Sequence, residues 1–138
     1  MGLDSYIWAA PSDVVEKLED PDRPTFEELK KYGVTHEYPE LGEFQYWRKH
    51  WGMHHWFTQE GIYRGDLDPK EEFNGVPLRI DVEMLQRLER DVRSGEVGRL
   101  GGEYGPGTQH DKTKDLAFIR KARKAIRKGL TLYYDSSW

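Results

Sequence analysis

The sequence predicts an α+β fold: a single small domain in which about three short β-strands are packed by three main α-helices. Three observations lead to this prediction. Apolar residues alternate near both ends of the chain, they recur at helical spacing in longer segments, and turn-forming residues separate these segments. A chain of 138 residues is long enough for one core and too short for two, so residues 1–138 are expected to form one domain.

The N-terminal segment is expected to hold one strand and two short helices. Alternating apolar residues predict the strand over residues 3–8. A short helix is expected over residues 12–19, with Ser12 as its N-cap. Thr25 and Glu28 then have the spacing of a capping box, in which the hydroxyl binds the helix N-terminus and the carboxylate reaches back. A second short helix is therefore expected after Thr25.

The segment over residues 44–58 is expected to form the central helix, because it holds three of the five tryptophans and is apolar around nearly its whole circumference. One face of this helix would carry large side chains at helical spacing, namely Trp47, Trp51 and His54 or His55. Glycine costs a helix about 1 kcal/mol relative to alanine. The presence of Gly52 therefore suggests that another element packs closely against the helix there.

The C-terminal half is expected to begin with a strand over residues 76–80 and a helix over residues 81–93 that Asp81 caps. Six glycines lie between residues 95 and 107. We interpret residues 95–110 as a flexible Gly-rich loop that could cover a ligand.

The last helix is expected to start at Asp111 or Thr113 and to stop at Gly129. A final strand is predicted over residues 130–134, where apolar and aromatic residues follow the glycine.

Composition excludes several classes of protein. There is no cysteine, so neither a disulfide framework nor thiolate chemistry is expected. The N-terminus has no basic region followed by an apolar run, and no window approaches the roughly 18 apolar residues of a membrane span. The chain is therefore expected to be soluble and cytoplasmic, with no membrane partner.

The net charge of −4 conceals two oppositely charged regions. Residues 1–43 carry eleven acidic side chains against four basic ones, whereas residues 112–128 carry eight basic side chains against one acidic. The acidic region could face the basic helix of the same molecule, or either region could face an outside partner.

The aromatic segment also carries a candidate site for a nucleotide-like ligand. An arginine matches phosphate oxygens with its planar fork, and aromatic faces can stack on a base. The residues expected to contact the ligand are Trp47, Arg48, Lys49, His54, His55, Tyr104 and His110. The Gly-rich loop lacks the Gly-Lys-Ser/Thr ending of a P-loop, and the two cations could instead pair with Glu40 or Glu43 at the surface.

A basic surface is expected on the last helix, where six cations occur in nine residues. These cations could contact a protein partner or a nucleic-acid backbone. They are Arg120, Lys121, Arg123, Lys124, Arg127 and Lys128. The alternative is an ordinary solvated helix face, and the acidic net charge disfavours sequence-independent DNA binding.

Enzymatic chemistry is the less favoured class. His50 and His54 have the i, i+4 spacing of metal ligands, but a zinc protease would carry glutamate where Trp51 stands. The alternative is that these histidines are packed in the interior. No pair of carboxylates is singled out for acid–base work. No cofactor or metal site is predicted, and a small metal- or phosphate-handling enzyme using His50, His54, His55 and His110 remains the alternative.

Three segments carry a family resemblance: MGLDSYI at the start, GEFQYWRKHWGMHHWF in the middle and YYDSSW at the end. Together they resemble a family of small uncharacterised proteins of phages and bacteria, with the motifs MGLDMYL, YWRKxxxIHxWF and YYxSSW in the same order. The chain departs from that family over residues 95–110, which are Gly-rich here.

The resemblance implies a phage-type accessory protein acting inside a bacterial cell. Such a protein would act by binding a host or phage protein or a nucleotide-like ligand rather than by catalysis. A minor virion or assembly component is a further alternative.

Overall fold

The computed structural model describes residues 2–34, 37–38, 42–70, 75–102 and 111–138. In chain order the strands are β1 (Asp4–Ala10), β2 (Glu37–Tyr38), β3 (Gly42–Glu43), β4 (Gln45–Arg48), β5 (Leu78–Ile80) and β6 (Thr131–Ser137). The helices are α1 (Ser12–Val15), α2 (Phe26–Lys31), α3 (Trp51–Arg64), α4 (Val82–Arg93), α5 (Glu96–Gly102) and α6 (Lys112–Arg127). These elements form a single small α+β domain, as the sequence predicts.

The centre of the molecule is a four-stranded antiparallel sheet in the order β4-β1-β6-β5. It has one strand more than the three expected, because β4 was assigned to a helix. The first and last strands pair along their whole length, with Ile7 opposite Tyr134. The strands β2 and β3 form a separate two-residue pairing.

Helices cover both faces of the sheet, which makes three layers. Successive side chains of a strand point to opposite faces. Accordingly Ile7 packs into a large core with α3, α4, α5 and α6, whereas its neighbour Trp8 packs with Val14 of α1 and Leu29 of α2. Because β1 is buried on both faces, its second half is apolar without interruption.

Three of the expected caps are confirmed. The side chains of Thr25, Asp81 and Asp111 each accept a hydrogen bond from the backbone N–H three residues on. Gly129 has a φ of 94°, the left-handed conformation that ends a helix without a Cβ clash. Two details were wrong: Glu28 accepts from the backbone of Glu19 and not from its own helix, and α1 stops at Val15 without a side-chain cap.

The expected central helix was wrong over residues 44–50, including the place of Trp47 on its face, and the helix ends at Arg64 and not at residue 58. Gln45–Arg48 is the edge strand β4, and α3 starts only at Trp51. A short aromatic run fits both the helical and the strand pattern, and pairing with β1 decides for the strand. Lys49 takes a left-handed φ of 55° at the junction, and the imidazole of His50 then caps α3 by accepting from the N–H of Met53.

The expected Gly-rich loop was wrong over its first half, because Glu96–Gly102 forms helix α5. Val97 and Leu100 are buried in the large core, and this burial outweighs the poor helix propensity of the three glycines in α5. Gly52 of α3 lies directly against α5, so the close packing expected at this glycine is confirmed. Residues 103–110 of the expected loop lie outside the described residues.

Among the helices that the structure describes, none combines the length and the apolar character needed to cross a lipid bilayer.

Candidate functional site

A cleft of about 340 Å³ runs along the edge strand β4. All four residues of the strand line it, together with His50, and Asp111, Lys114 and Asp115 from the start of α6. The volume lies at the lower end of the range for small-molecule sites. The cleft is therefore the best candidate for a binding site within the described part of the chain.

A buried pair, His50 and Asp115, forms the inner wall of the cleft. The two side chains are 3% and 1% exposed, and Nε2 of the imidazole lies 2.9 and 3.1 Å from the two carboxylate oxygens. Nδ1 accepts from the backbone N–H of Met53 at 3.2 Å, so the imidazole proton sits on Nε2 and points at Asp115. The pair ties the start of α3 to the first turn of α6.

Tyr46 and Arg48 are also part of the cleft lining. The Tyr46 hydroxyl donates to Asp4, and this hydrogen bond, with some burial, raises the pKa of Tyr46 to about 12. The Tyr46 ring stacks on Tyr6, with centroids 5.1 Å apart and planes 29° apart. Arg48 is exposed and is the register partner of Asp4. The cleft thus combines a fixed phenol with a cation that is exposed to solvent.

Trp47 is 8% exposed and packs edge-on against Phe118, with ring centroids 4.8 Å apart. Its indole N–H is buried and has no acceptor among the described residues. A buried donor without a partner costs about 1–3 kcal/mol. An acceptor supplied by a ligand in the cleft would remove that cost.

A second polar cluster, buried between β1, β6 and α3, contains His54. The Ser5 and Tyr134 hydroxyl oxygens lie 2.9 Å apart, and the Tyr134 oxygen lies 3.0 Å from Nδ1 of His54. Trp51 and Trp138 each present a ring about 6 Å from the imidazole, at 5.9 and 6.0 Å between centroids. Burial, with a smaller effect of His55, lowers the pKa of His54 to about 4, so this histidine is neutral at pH 7.

We expect His54 and Asp135 to act in opposite directions on stability in acid. The unfolded His54 takes up a proton near pH 6.5 and the folded one only near its pKa of about 4, so stability falls by about 3 kcal/mol over that window. Burial raises the pKa of Asp135 from 3.8 to about 6, so its contribution to stability rises as the pH falls from 6 to 3.8. The variant Asp135→Asn should therefore lose stability between pH 6.5 and 4 more steeply than the wild type.

Denaturant unfolding at pH 7.0, 5.5 and 4.5 checks this expectation, because all other carboxylates are shared by the two proteins. If the free energy of unfolding of the wild type and of Asp135→Asn changed in parallel with pH, the opposite effects of His54 and Asp135 would be contradicted.

The expected ligand residues fall into four groups. Trp47 and Arg48 line the cleft. Lys49 and His55 are half-buried and lie outside the cleft lining. The backbone N–H of Lys49 donates to the Leu3 carbonyl, and Nε2 of His55 lies 3.0 Å from the Gln59 amide. His54 lies in the second cluster, and the other two residues, Tyr104 and His110, fall outside the described residues.

The cleft lining also contains three residues that were not predicted from the sequence as site residues, namely Tyr46, Lys114 and Asp115. The one available signal was Asp111, whose cap position fixes where α6 begins and hence which side chains occupy its first turn. The contact between that turn and β4 joins residues more than 60 positions apart, which no local pattern reports.

The six cations expected to form a basic surface on α6 are in two different situations. Lys121 donates to the Phe44 carbonyl and lies 4.5 Å from the centroid of the Phe44 ring, and burial lowers the pKa of this lysine. Arg123 pairs with Glu89 of α4. The other four are exposed: Arg120, Lys124, Arg127 and Lys128.

A second cavity, of about 450 Å³, is lined by Asp22, Arg64, Asp66, Arg79 and Asp81. Its charges pair with one another: Arg64 binds both Asp66 and Asp81, and Arg79 binds Asp22. We interpret this cavity as a surface ion-pair network that joins α3, β5 and α4.

Residues 2–34, 37–38, 42–70, 75–102 and 111–138 contain no group of three His, Cys, Asp or Glu side chains arranged to hold a metal ion. Both ring nitrogens of His50 are engaged within the protein, and Nδ1 of His54 faces Tyr134. The i, i+4 pair is thus used in packing and capping. Comparisons of the chain with protein-family models, with curated proteins and with solved structures find no match.

Proposed function

We propose that the protein binds a small anionic, nucleotide-like ligand in the cleft between β4 and α6, and that it acts by binding rather than by catalysis. The observation that carries the proposal is the buried indole N–H of Trp47, which lacks an acceptor among the described residues and belongs to a side chain of the cleft lining. Buried donors in native proteins nearly always have a partner, and a bound ligand is one way to supply it.

Two exposed cations of the cleft lining can contact an anion. Arg48 and Lys114 are exposed cations, and the start of the long helix α6 adds partial positive charge from its free N–H groups. Both carboxylates of the lining already accept hydrogen bonds: Asp111 caps α6, and Asp115 binds His50. The carboxylates keep their negative charge, so the lining is close to neutral, and Arg48 and Lys114 supply the cationic donors that a phosphate would meet.

Aromatic surface in the same cleft favours a ligand with a flat ring. Tyr46 lines the cleft, and its stacking on Tyr6 holds the phenol ring in place, whereas Trp47 points to the opposite face of β4 and packs on Phe118. A base can stack on such a ring, and each stack is worth roughly 1–3 kcal/mol. A nucleotide combines this ring with a phosphate.

The geometry of His50 disfavours catalysis by the most prominent titratable pair. A general base needs a free nitrogen within hydrogen-bond reach of the substrate. In His50, Nδ1 caps α3 and Nε2 faces Asp115. The pair is suited to holding the cleft wall in place.

We expect Trp47→Phe and Arg48→Ala each to weaken nucleotide binding by about tenfold or more, because each removes one hydrogen-bond donor to the ligand. Phenylalanine keeps a ring against Phe118 while it removes the N–H. Isothermal titration against a panel of nucleoside mono-, di- and triphosphates measures the effect. The control is Arg90→Ala, which removes one exposed arginine of α4 far from the cleft lining.

A wild-type protein that binds no member of the panel would overturn the proposal. An equal loss of affinity in Arg90→Ala would also overturn it, because the loss would then come from the change in net charge and not from a lost contact in the cleft.

A second candidate ligand is an extended peptide of a host or phage protein. β4 lies at the edge of the sheet, and the cleft runs along it, which is the arrangement that lets a peptide add a strand. Native mass spectrometry of protein purified from bacterial cells separates the two candidates. A copurifying small mass supports the nucleotide-like ligand, whereas a copurifying polypeptide that Trp47→Phe and Arg48→Ala release supports the peptide.

The resemblance to small phage and bacterial proteins agrees with a binding role in a bacterial cell. The segments that carry it meet in the fold, since β1 lies between β4 and β6 and α3 continues directly from β4. The second polar cluster joins all three through Ser5, His54 and Tyr134. A phage-type accessory role is the biological setting that we propose for the cleft.

A further inference from the structure

One stripe of α6 carries four exposed cations. Arg120, Lys124, Arg127 and Lys128 are exposed and make no ion pair with any residue in the described part of the chain, unlike Arg123, which is held by Glu89. The buried face of the helix is formed by other residues, Phe118, Ile119, Ala122 and Ala125. The four cations therefore point to solvent from a rigid, well-anchored element.

The spacing of these cations is regular. Arg120, Lys124 and Lys128 are four residues apart and follow one side of the helix, with Arg127 beside the last of them. At 1.5 Å per residue the stripe is about 12 Å long. The C-terminal end of a helix offsets about half a positive charge, which leaves most of the stripe's charge uncompensated.

Helices α1 and α2, which carry part of the acidic segment, lie across the sheet from this stripe. Helices α1 and α2 pack on the face of the sheet that carries Trp8 and Tyr133, whereas α6 packs on the opposite face with Ile7 and Leu132. The sheet thus separates the acidic helices from the basic one.

We infer that the α6 stripe binds the phosphate backbone of duplex nucleic acid without reading its sequence. A membrane surface fits less well, because the large apolar side chains that are exposed in the described residues, Tyr63, Val76 and Val82, all lie on other elements. For the same reason the stripe offers no aromatic platform for unstacked single-stranded bases. A row of cations with small neighbours matches a row of phosphates.

The test compares two variants with the same net charge. Lys124→Glu/Lys128→Glu reverses two cations of the stripe, and Lys30→Glu/Lys70→Glu reverses two exposed lysines on other elements. Fluorescence anisotropy with a labelled 24-bp duplex at 25–200 mM salt gives the affinity and its salt slope. Four phosphate contacts predict a slope of about −3.6, which is roughly a hundredfold loss of affinity between 50 and 200 mM salt.

We expect the stripe variant to lose at least half of this slope and about tenfold or more in affinity at 50 mM salt, with the control variant close to the wild type. Circular dichroism confirms that both variants are folded, and the exposed position of all four lysines makes this outcome the expected one. Equal losses in the two variants would overturn the inference, as would the absence of salt-dependent binding by the wild type. Binding to phosphatidylglycerol vesicles but not to the duplex would overturn it in favour of a membrane surface.

Discussion

Replacing Gly52 by alanine should destabilise the protein by about 2–3 kcal/mol. An added Cβ would lie 2.2 Å from the Val97 carbonyl oxygen and 3.0 Å from the Gly101 nitrogen, and both are backbone atoms of α5. Backbone atoms of a packed helix cannot move aside as a flexible side chain does, so α3 and α5 must separate. Helix propensity alone predicts the opposite sign, a gain of about 1 kcal/mol.

Urea unfolding of Gly52→Ala and Gly102→Ala measures this effect with a matched control. Gly102 is also a helical glycine, and a Cβ added there would meet no atom within 4 Å. We expect Gly102→Ala to be neutral or slightly stabilising. If both variants were as stable as the wild type, the close contact between α3 and α5 would be wrong.

Replacing His50 by alanine should cost about 3–5 kcal/mol, because it removes the imidazole N–H that the buried carboxylate of Asp115 accepts. The same change removes the imidazole that caps α3 through the N–H of Met53. His55→Ala serves as the control, since this half-buried histidine of the same helix lies outside the pair and faces the exposed side chain of Gln59. We expect His55→Ala to cost less than about 1 kcal/mol.

A double-mutant cycle separates the two roles of His50. His50→Ala, Asp115→Ala and the double variant give the interaction energy between the side chains, and a buried hydrogen-bonded pair should show roughly 1–3 kcal/mol. The variant His50→Asn then measures the contribution of the N-cap to stability, because asparagine is a good N-cap residue but is shorter than histidine. If the losses of stability in the two single variants simply added up in the double variant, the interaction between His50 and Asp115 would be contradicted.

Signals carried by a few neighbouring residues allowed the correct prediction of much of the fold. Asp81 and Asp111 marked helix starts, Gly129 marked a stop, and Gly52 marked a close helix contact. Each of these depends on local backbone chemistry, such as a side-chain oxygen that meets a free N–H or a glycine that tolerates a left-handed φ. These helix ends and this close contact can therefore be predicted from the sequence alone.

Non-local contacts account for what was missed. Residues 45–48 form a strand because β1 lies beside them, and α5 forms a helix because Val97 and Leu100 are buried. Of the cleft, Trp47 and Arg48 were predicted from their side-chain chemistry. Asp115 could not be, because its partner His50 is 65 residues away and nothing local to either residue indicates the contact.

The strand order also determines when the strands can pair during synthesis. β1 is synthesised about 120 residues before β6, one of its two partners in the sheet. At roughly 5–20 residues per second, β1 waits about 6–25 s with an edge unpaired. Pairings of such long range also form slowly once the chain is complete. During that interval the apolar half of β1 is exposed to other chains, so the yield of folded protein should depend on chaperones and on low expression temperature.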